Sequence, residues 1–173
     1  MAEYLPFEIR PIPPFTNEWA KLAITVYAAL VDEGLYTAQE VEGMADPEQH
    51  EASWLPRNRY IQLVQLGGFL GPELVAIVDV LRRDDETAII EELAVHPRYQ
   101  DQGYGGKLVR APVASAQRAQ LPILEVFALE REPKAVSFWR HLLGAPNIGG
   151  HLILLGTRRP AKGWRLPTAE ISV

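Results

Sequence analysis

The residues best placed to do chemistry stand in one run, Leu93-Ala94-Val95-His96-Pro97-Arg98-Tyr99-Gln100-Asp101-Gln102-Gly103-Tyr104-Gly105-Gly106-Lys107. The run joins the end of an apolar strand to a glycine-rich turn and then to the start of a helix. Such a turn can bind an anion, because the first backbone N–H groups of a helix lack intrahelical acceptors and the helix dipole adds positive potential. Glycines let a ligand approach closely. Two familiar phosphate loops do not fit: Leu108 stands where a dinucleotide fingerprint needs its third glycine, and Gly106-Lys107 is not followed by Ser or Thr. Taken alone, the letters fit a tight structural turn as well as an anion site.

Competing chemistries have little support. The chain has no cysteine, so disulfides, thiolate nucleophiles and Cys-ligated metals are excluded. His50, His96, His141 and His151 lack metal-ligand spacing, and we expect no metal site. None of Ser53, Ser115, Ser137 or Ser172 sits in a Gly-x-Ser-x-Gly elbow, which removes the usual sequence sign of a hydrolase nucleophile.

The elements that must position the turn follow from periodicity. Phe7 to Arg10 reads as a short strand that Pro11, Pro13 and Pro14 confine to a sheet edge. From about Trp19 to Val31, Leu22, Ala23, Val26, Ala29 and Leu30 recur at helical spacing, and Gly34 supplies a stop. Thr37 and Glu40 have capping-box spacing and open a second short helix that ends near Pro47. Tyr60–Leu66 and Leu74–Val80 read as a hairpin separated by Gly67, Gly68, Gly71 and Pro72, and Thr87–Val95 as a third strand. Beyond the turn come a helix to about Gln120, a strand at Ile123–Phe127, a helix at Pro133–Leu143 capped by Gly144, and a strand at His151–Leu155. Arg158, Arg159, Pro160, Lys162 and Gly163 suggest a loosely structured tail after about residue 157. Residues 1–173 thus read as a single α/β (α+β) domain, a mixed sheet with helices on both faces.

The chemistry-bearing run resembles motif A of the GCN5-related N-acetyltransferase (GNAT) family, whose pattern is Gln/Arg-x-x-Gly-x-Gly/Ala, at Gln100-Asp101-Gln102-Gly103-Tyr104-Gly105. The order of elements from about Phe7 to Leu155 is similar to that fold. The resemblance implies a mostly antiparallel sheet with a splayed strand pair, and acetyl-CoA or another acyl-CoA in the cleft between the two strands. It implies that the backbone of Leu93, Ala94 and Val95 holds the pantetheine arm, while Gln100, Asp101, Gln102, Gly103, Tyr104, Gly105, Gly106 and Lys107 wrap the pyrophosphate. Gln100 and Gln102 carry amide donors for it, and Lys107 a charge.

Family members usually pass the acyl group directly to an amine, whose proton a base, often a carboxylate acting through water, must take. Glu92, just before Leu93-Ala94-Val95, resembles the acid often found there, with Glu125 on the neighbouring strand as the second choice. Glu91 and Glu92 point to opposite faces unless a bulge intervenes. The final helix departs from the family: Glu132 replaces Asn, and Trp139 replaces the Tyr that commonly protonates the leaving thiolate. An indole N–H is no usable acid, so Trp139 is expected to pack on the pantetheine arm or in the core. The expected function is N-acetyl transfer from acetyl-CoA to a primary amine of a small molecule or peptide. The alternative is a non-catalytic acyl-CoA-binding or regulatory domain. Asp32, Glu33 and Tyr36 can receive a cationic amine, and Trp19, Tyr27 and Trp54 can line an apolar wall.

Composition fits these readings. With 47% hydrophobic and 23% charged residues and a net charge of −5, the chain is a globular domain without the basic surplus that binds nucleic acid. No apolar run approaches the roughly 18 residues of a membrane span, and the first eight residues lack a signal peptide's features, so a cytoplasmic location is expected. The residues leave homodimerisation open.

Overall fold

The computed structural model describes residues 5–13, 16–46, 60–154 and 157–172. Among them run β1 (Phe7–Pro11), α1 (Asn17–Asp32), α2 (Ala38–Ala45), β2 (Tyr60–Leu70), β3 (Glu73–Arg83), β4 (Thr87–Val95), α3 (Tyr104–Arg118), β5 (Ile123–Leu129), α4 (Pro133–Leu143), β6 (Ile148–Leu154) and β7 (Thr157–Pro167). The strands form one sheet in the order β1-β2-β3-β4-β5-β7-β6. Every pairing is antiparallel except β4 with β5. A single parallel contact therefore sits at the centre of a mostly antiparallel sheet.

Local chemistry explains the helix boundaries. The Thr16 hydroxyl accepts the Trp19 N–H at 3.3 Å and opens α1. The predicted capping box is present at α2: Thr37 Oγ1 accepts from the Glu40 N–H at 3.1 Å, and Glu40 Oε2 accepts from the Thr37 N–H at 2.8 Å. Gly34, at φ +71°, follows α1 in the left-handed region that favours glycine. The helix α3 continues through Pro112, whose ring is buried.

Helices cover both faces. On one, Ala76, Val78, Ala88, Ile90, Leu124 and Val126 pack under Leu108, Val109 and Val113 of α3 and Val136 and Trp139 of α4. On the other, Ile77 and Ala94 meet Trp19 and Leu22 of α1, and Leu129 meets Ala23, Tyr27, Tyr36 and Val41. Burial of each large apolar side chain contributes about 1.5–3 kcal/mol, so Trp19 and Leu22 suffice to anchor α1 to the sheet.

Two sequence expectations are corrected. Gly67 and Gly68 lie inside β2, opposite Ile77 and Ala76, and do not break the hairpin, which turns at Gly71 (φ +58°) and Pro72. A Cβ at Gly68 would collide with the Phe7 ring crossing from β1, and one at Gly67 would stand 2.7 Å from Leu74 and Phe69. The supposed tail after residue 157 is β7, an interior strand between β5 and β6. Its loop-like letters have a packing reason: a Cβ at Gly163 would stand 2.6 Å from the Phe127 ring, and Trp164 is fully buried with its indole N–H donating to the Gly144 carbonyl at 2.9 Å.

Candidate active site

The site begins with one extra residue in β4. Val80 stands opposite Ile90, but Asp79 stands opposite Glu92, so Glu91 is the extra residue of a β-bulge. The bulge shifts the strand's alternation. Ala88 and Ile90 face α3, as do Leu93 and Val95 beyond the bulge, whereas Glu92 and Ala94 turn toward α1. The His96 N–H donates to the Val75 carbonyl at 2.9 Å. Alternation from that bond aims the backbone groups of Ala94 at Ile77 and those of Leu93 and Val95 toward β5.

There β5 has departed. The β4–β5 pairing runs only from Thr87 with Ile123 to Ile90 with Val126. Past it the strands splay, and the cleft between them is edged by the backbone of Leu93 and Val95. It opens onto the start of α3.

The turn is organised from within. Gln100 Nε2 donates to the Val95 carbonyl at 3.0 Å and Gln102 Nε2 to the Arg98 carbonyl at 3.1 Å. Each glutamine thus places an amide donor on the turn itself, where the sequence suggested donors for phosphate. Asp101 (φ +59°) and Gly103 (φ +80°) take left-handed backbone to bring the chain into α3. The first helical bond runs from the Lys107 N–H to the Gly103 carbonyl, which leaves the amides of Tyr104, Gly105 and Gly106 at the free helix terminus. A Cβ at Gly106 would meet open space, and one at Gly105 would press on Phe138 of α4 at 3.2 Å. Gly105 therefore serves packing, and Gly106 bares the backbone. Tyr104 stacks on Phe7 with ring centroids 4.6 Å apart, and Lys107 Nζ lies 5.1 Å from the Tyr104 ring on the exposed side.

On the α1 face, Glu92 is buried and accepts a hydrogen bond from the Tyr27 hydroxyl. Burial pushes its carboxyl up to about 8, against the Tyr27 hydrogen bond, and the Asp79 carboxylate adds to the rise. Asp79 is itself fully buried and pushed to about 7 by burial, with Gln65 Nε2 donating to its Oδ2 at 2.7 Å. The Tyr36 hydroxyl donates to Glu132, at the N-terminus of α4, and its ring meets Tyr27 edge-on at 5.3 Å. Burial raises Glu132 as well. Arg131 lies 4.9 Å from the Tyr36 ring, and Glu40 binds Arg159 at 2.7 Å.

The other expected residues lie apart. Glu125 is buried, but Arg83 at 3.2 Å and Arg165 at 2.5 Å hold its two oxygens on the paired stretch of β5 before the splay. Trp139 is buried in the core beneath α4. Trp54 lies outside the described residues. Sequence reasoning missed Asp79, which hides in an apolar strand, and it treated Tyr27 and Tyr36 separately when they form a pair. Among the described residues, no three His, Asp or Glu side chains form a metal-holding group, and no helix is long and apolar enough to cross a membrane.

A family model described as the acetyltransferase (GNAT) family matches residues 28–145. The chain belongs to that family. No curated protein sequence matches it as a relative. Its fold is shared with the PaiA N-acetyltransferase of Thermoplasma acidophilum in complex with coenzyme A, at 14% identity over 94% of this chain and 100% of that one, with a TM-score of 0.68. The ribosomal-protein-S18-alanine N-acetyltransferase of Escherichia coli is similar at 17% identity over 97% and 96%, TM-score 0.62. A Bacillus subtilis acetyltransferase in complex with CoA is similar at 16% over 94% and 99%, TM-score 0.62.

Proposed function

We propose that this acetyltransferase passes the acetyl group of acetyl-CoA directly to a primary amine of a small molecule or peptide, with Glu92 as general base. The observation that carries the reading is the position of the buried Glu92 carboxyl, one residue before the cleft-facing backbone of Leu93. The site's shape supports the cosubstrate: Leu93 and Val95 offer a strand edge to the amides of pantetheine, and the start of α3 at Gly106 offers bare N–H groups to the pyrophosphate. When bound, acetyl-CoA supplies the thioester carbon to which the amine nitrogen bonds, as the carbon–sulfur bond breaks and the thiolate departs.

Glu92 takes the amine proton. A carboxyl near 8 is a far stronger base than an exposed glutamate, and it is half ionised near pH 8. Glu125, charge-paired on both oxygens, is the weaker candidate. With Trp139 in the core, no phenol stands at that position of α4, and a thiol with a pKa of roughly 8.5 can leave without one.

The test is a thermal-shift titration with acetyl-CoA, with ATP and dephosphorylated CoA fragments as anion controls, followed by amine-dependent thiol release. At 100 times its dissociation constant, acetyl-CoA stabilises by about 2.7 kcal/mol, or roughly 5–10 °C. Glu92→Gln retains that shift and lowers turnover at least about tenfold. Absence of a selective shift refutes the cosubstrate, and undiminished turnover in Glu92→Gln refutes the base.

A further inference from the structure

Transfer of an acetyl group by this mechanism uses Glu92 and leaves Asp79 with no part to play. Yet Asp79 is placed with unusual care. In the sheet register Gln65 of β2 stands opposite Asp79 of β3, which stands opposite Glu92 of β4. Three polar side chains thus cross three adjacent strands in a row, exposed by only 2%, 0% and 7%. Buried polar groups in an apolar layer are costly unless each is partnered. Here Gln65 fixes Asp79 at 2.7 Å, the Trp19 indole faces the same carboxyl, and Tyr27 fixes Glu92.

The bulge is what completes the row. With an unbroken register continuing from Val80 opposite Ile90, Glu91 would stand opposite Asp79, and Glu92 would face α3. The inserted residue brings Glu92 onto the α1 face, in line with Asp79. Directly opposed residues bring their Cα atoms to about 4.5–5.5 Å, well within the range at which two carboxyls oppose each other's ionisation.

Resting on the assignment of Glu92 as base, we propose that Asp79, held by Gln65 and aligned with Glu92 across the β3–β4 pair, is a positioning residue that sets the pH at which the base becomes available. Asp79 gives up its proton first, and its charge then delays ionisation of Glu92. The other groups facing Glu92 are Tyr27 on α1, Tyr36 beyond it, Glu91 on its own strand and Glu132 ahead of α4. Among these carboxylates Asp79 acts most strongly on Glu92. It touches neither amine nor thioester in this scheme and acts only through Glu92.

The experiment is a carbon-13 NMR titration of labelled Asp and Glu carboxyls in the ligand-free protein, with the pH profile of kcat/KM beside it. In the wild type, both carboxyls keep their protons above about pH 6, and Asp79 ionises ahead of Glu92. In Asp79→Asn the Glu92 midpoint falls by at least about half a pH unit, and the acid limb of kcat/KM falls with it while the KM for acetyl-CoA stays constant. A folded Asp79→Asn protein with an unmoved Glu92 midpoint overturns the proposal. Should that variant not fold, the wild type decides alone: a Glu92 carboxyl that ionises ahead of Asp79, or in the ordinary glutamate range, overturns the proposal, and ionisation of Asp79 ahead of a raised Glu92 sustains it. A shifted Glu92 midpoint in a protein that transfers no acetyl group refutes the enzymatic reading and leaves the coupling of the two acids standing.

Discussion

Replacing Glu92 by Gln should make the protein more stable at alkaline pH while impairing its chemistry. The sign follows from proton linkage. Glu92 ionises near 4.5 in an unfolded chain and near 8 in the folded one, so between these values the folded state binds the extra proton. The stability this provides is fully present below about pH 4.5 and is lost as pH rises through 8. Gln mimics the neutral carboxyl, keeps an oxygen to accept the Tyr27 hydroxyl, and does not titrate.

The span from 4.5 to about 8, at 1.36 kcal/mol for each tenfold in proton affinity, sets a ceiling of about 5 kcal/mol. Water entering around the charged carboxylate reduces the realised cost, and we expect about 2 kcal/mol. For a domain of this size that corresponds to a rise of about 4–8 °C in Tm over the wild type. The assay is thermal unfolding of both proteins at about pH 4 and pH 9, below the unfolded-state value and above the folded-state value of Glu92. The difference between variant and wild type should be small at the lower pH and open by several degrees at the higher. An identical difference at both would show that Glu92 is already ionised in the folded state, which removes the physical basis for its role as a base.

Three further substitutions separate the parts of the site. Tyr27→Phe removes the hydroxyl that favours the ionised form of Glu92, so its proton affinity rises further and the acid limb of kcat/KM moves to higher pH; a limb that stays or falls contradicts the contact. Gly106→Glu enters open space and should melt close to the wild type, yet it sets a negative charge at the start of α3 and should abolish the acetyl-CoA thermal shift. Glu125→Gln breaks the contacts with Arg83 and Arg165 and should cost on the order of 1–3 kcal/mol in urea unfolding while leaving the pH profile unmoved. A tenfold loss of turnover at unchanged stability would transfer the base assignment to Glu125.

Much of the architecture was legible because its signals are local. The capping box at Thr37 and Glu40, the proline-limited first strand and the strand–turn–helix at Val95 to Tyr104 depend on neighbouring residues, and the structure contains all three. What escaped depends on contacts between distant segments. Gly67 and Gly68 read as a break because the letters around them do not reveal the Phe7 ring that needs the space at Gly68, or the Leu74 and Phe69 side chains that need it at Gly67. The strand at 157–167 read as a tail because Arg, Pro, Lys and Gly mark loops locally, while its partners, Phe127 and the whole of β5, lie thirty to more than forty residues earlier. Asp79 sits in an apolar run whose only anomaly is the acid itself, and its meaning appears only with Gln65 and Glu92 beside it.

The bulge at Glu91 ties the two halves of the site together. A strand presents its side chains to alternating faces and its backbone groups to alternating edges, so one inserted residue changes both. On the face, it moves Glu92 to α1, beside Tyr27 and Asp79. On the edge, the register that follows it aims Leu93 and Val95 toward the gap left where β5 diverges after Val126. The carboxyl and the strand edge are thus set by a single backbone irregularity. On the same face Tyr27 and Tyr36 pack between α1 and α2, and the Tyr36 hydroxyl donates to Glu132 ahead of α4, so the groups around Glu92 come from three separate segments.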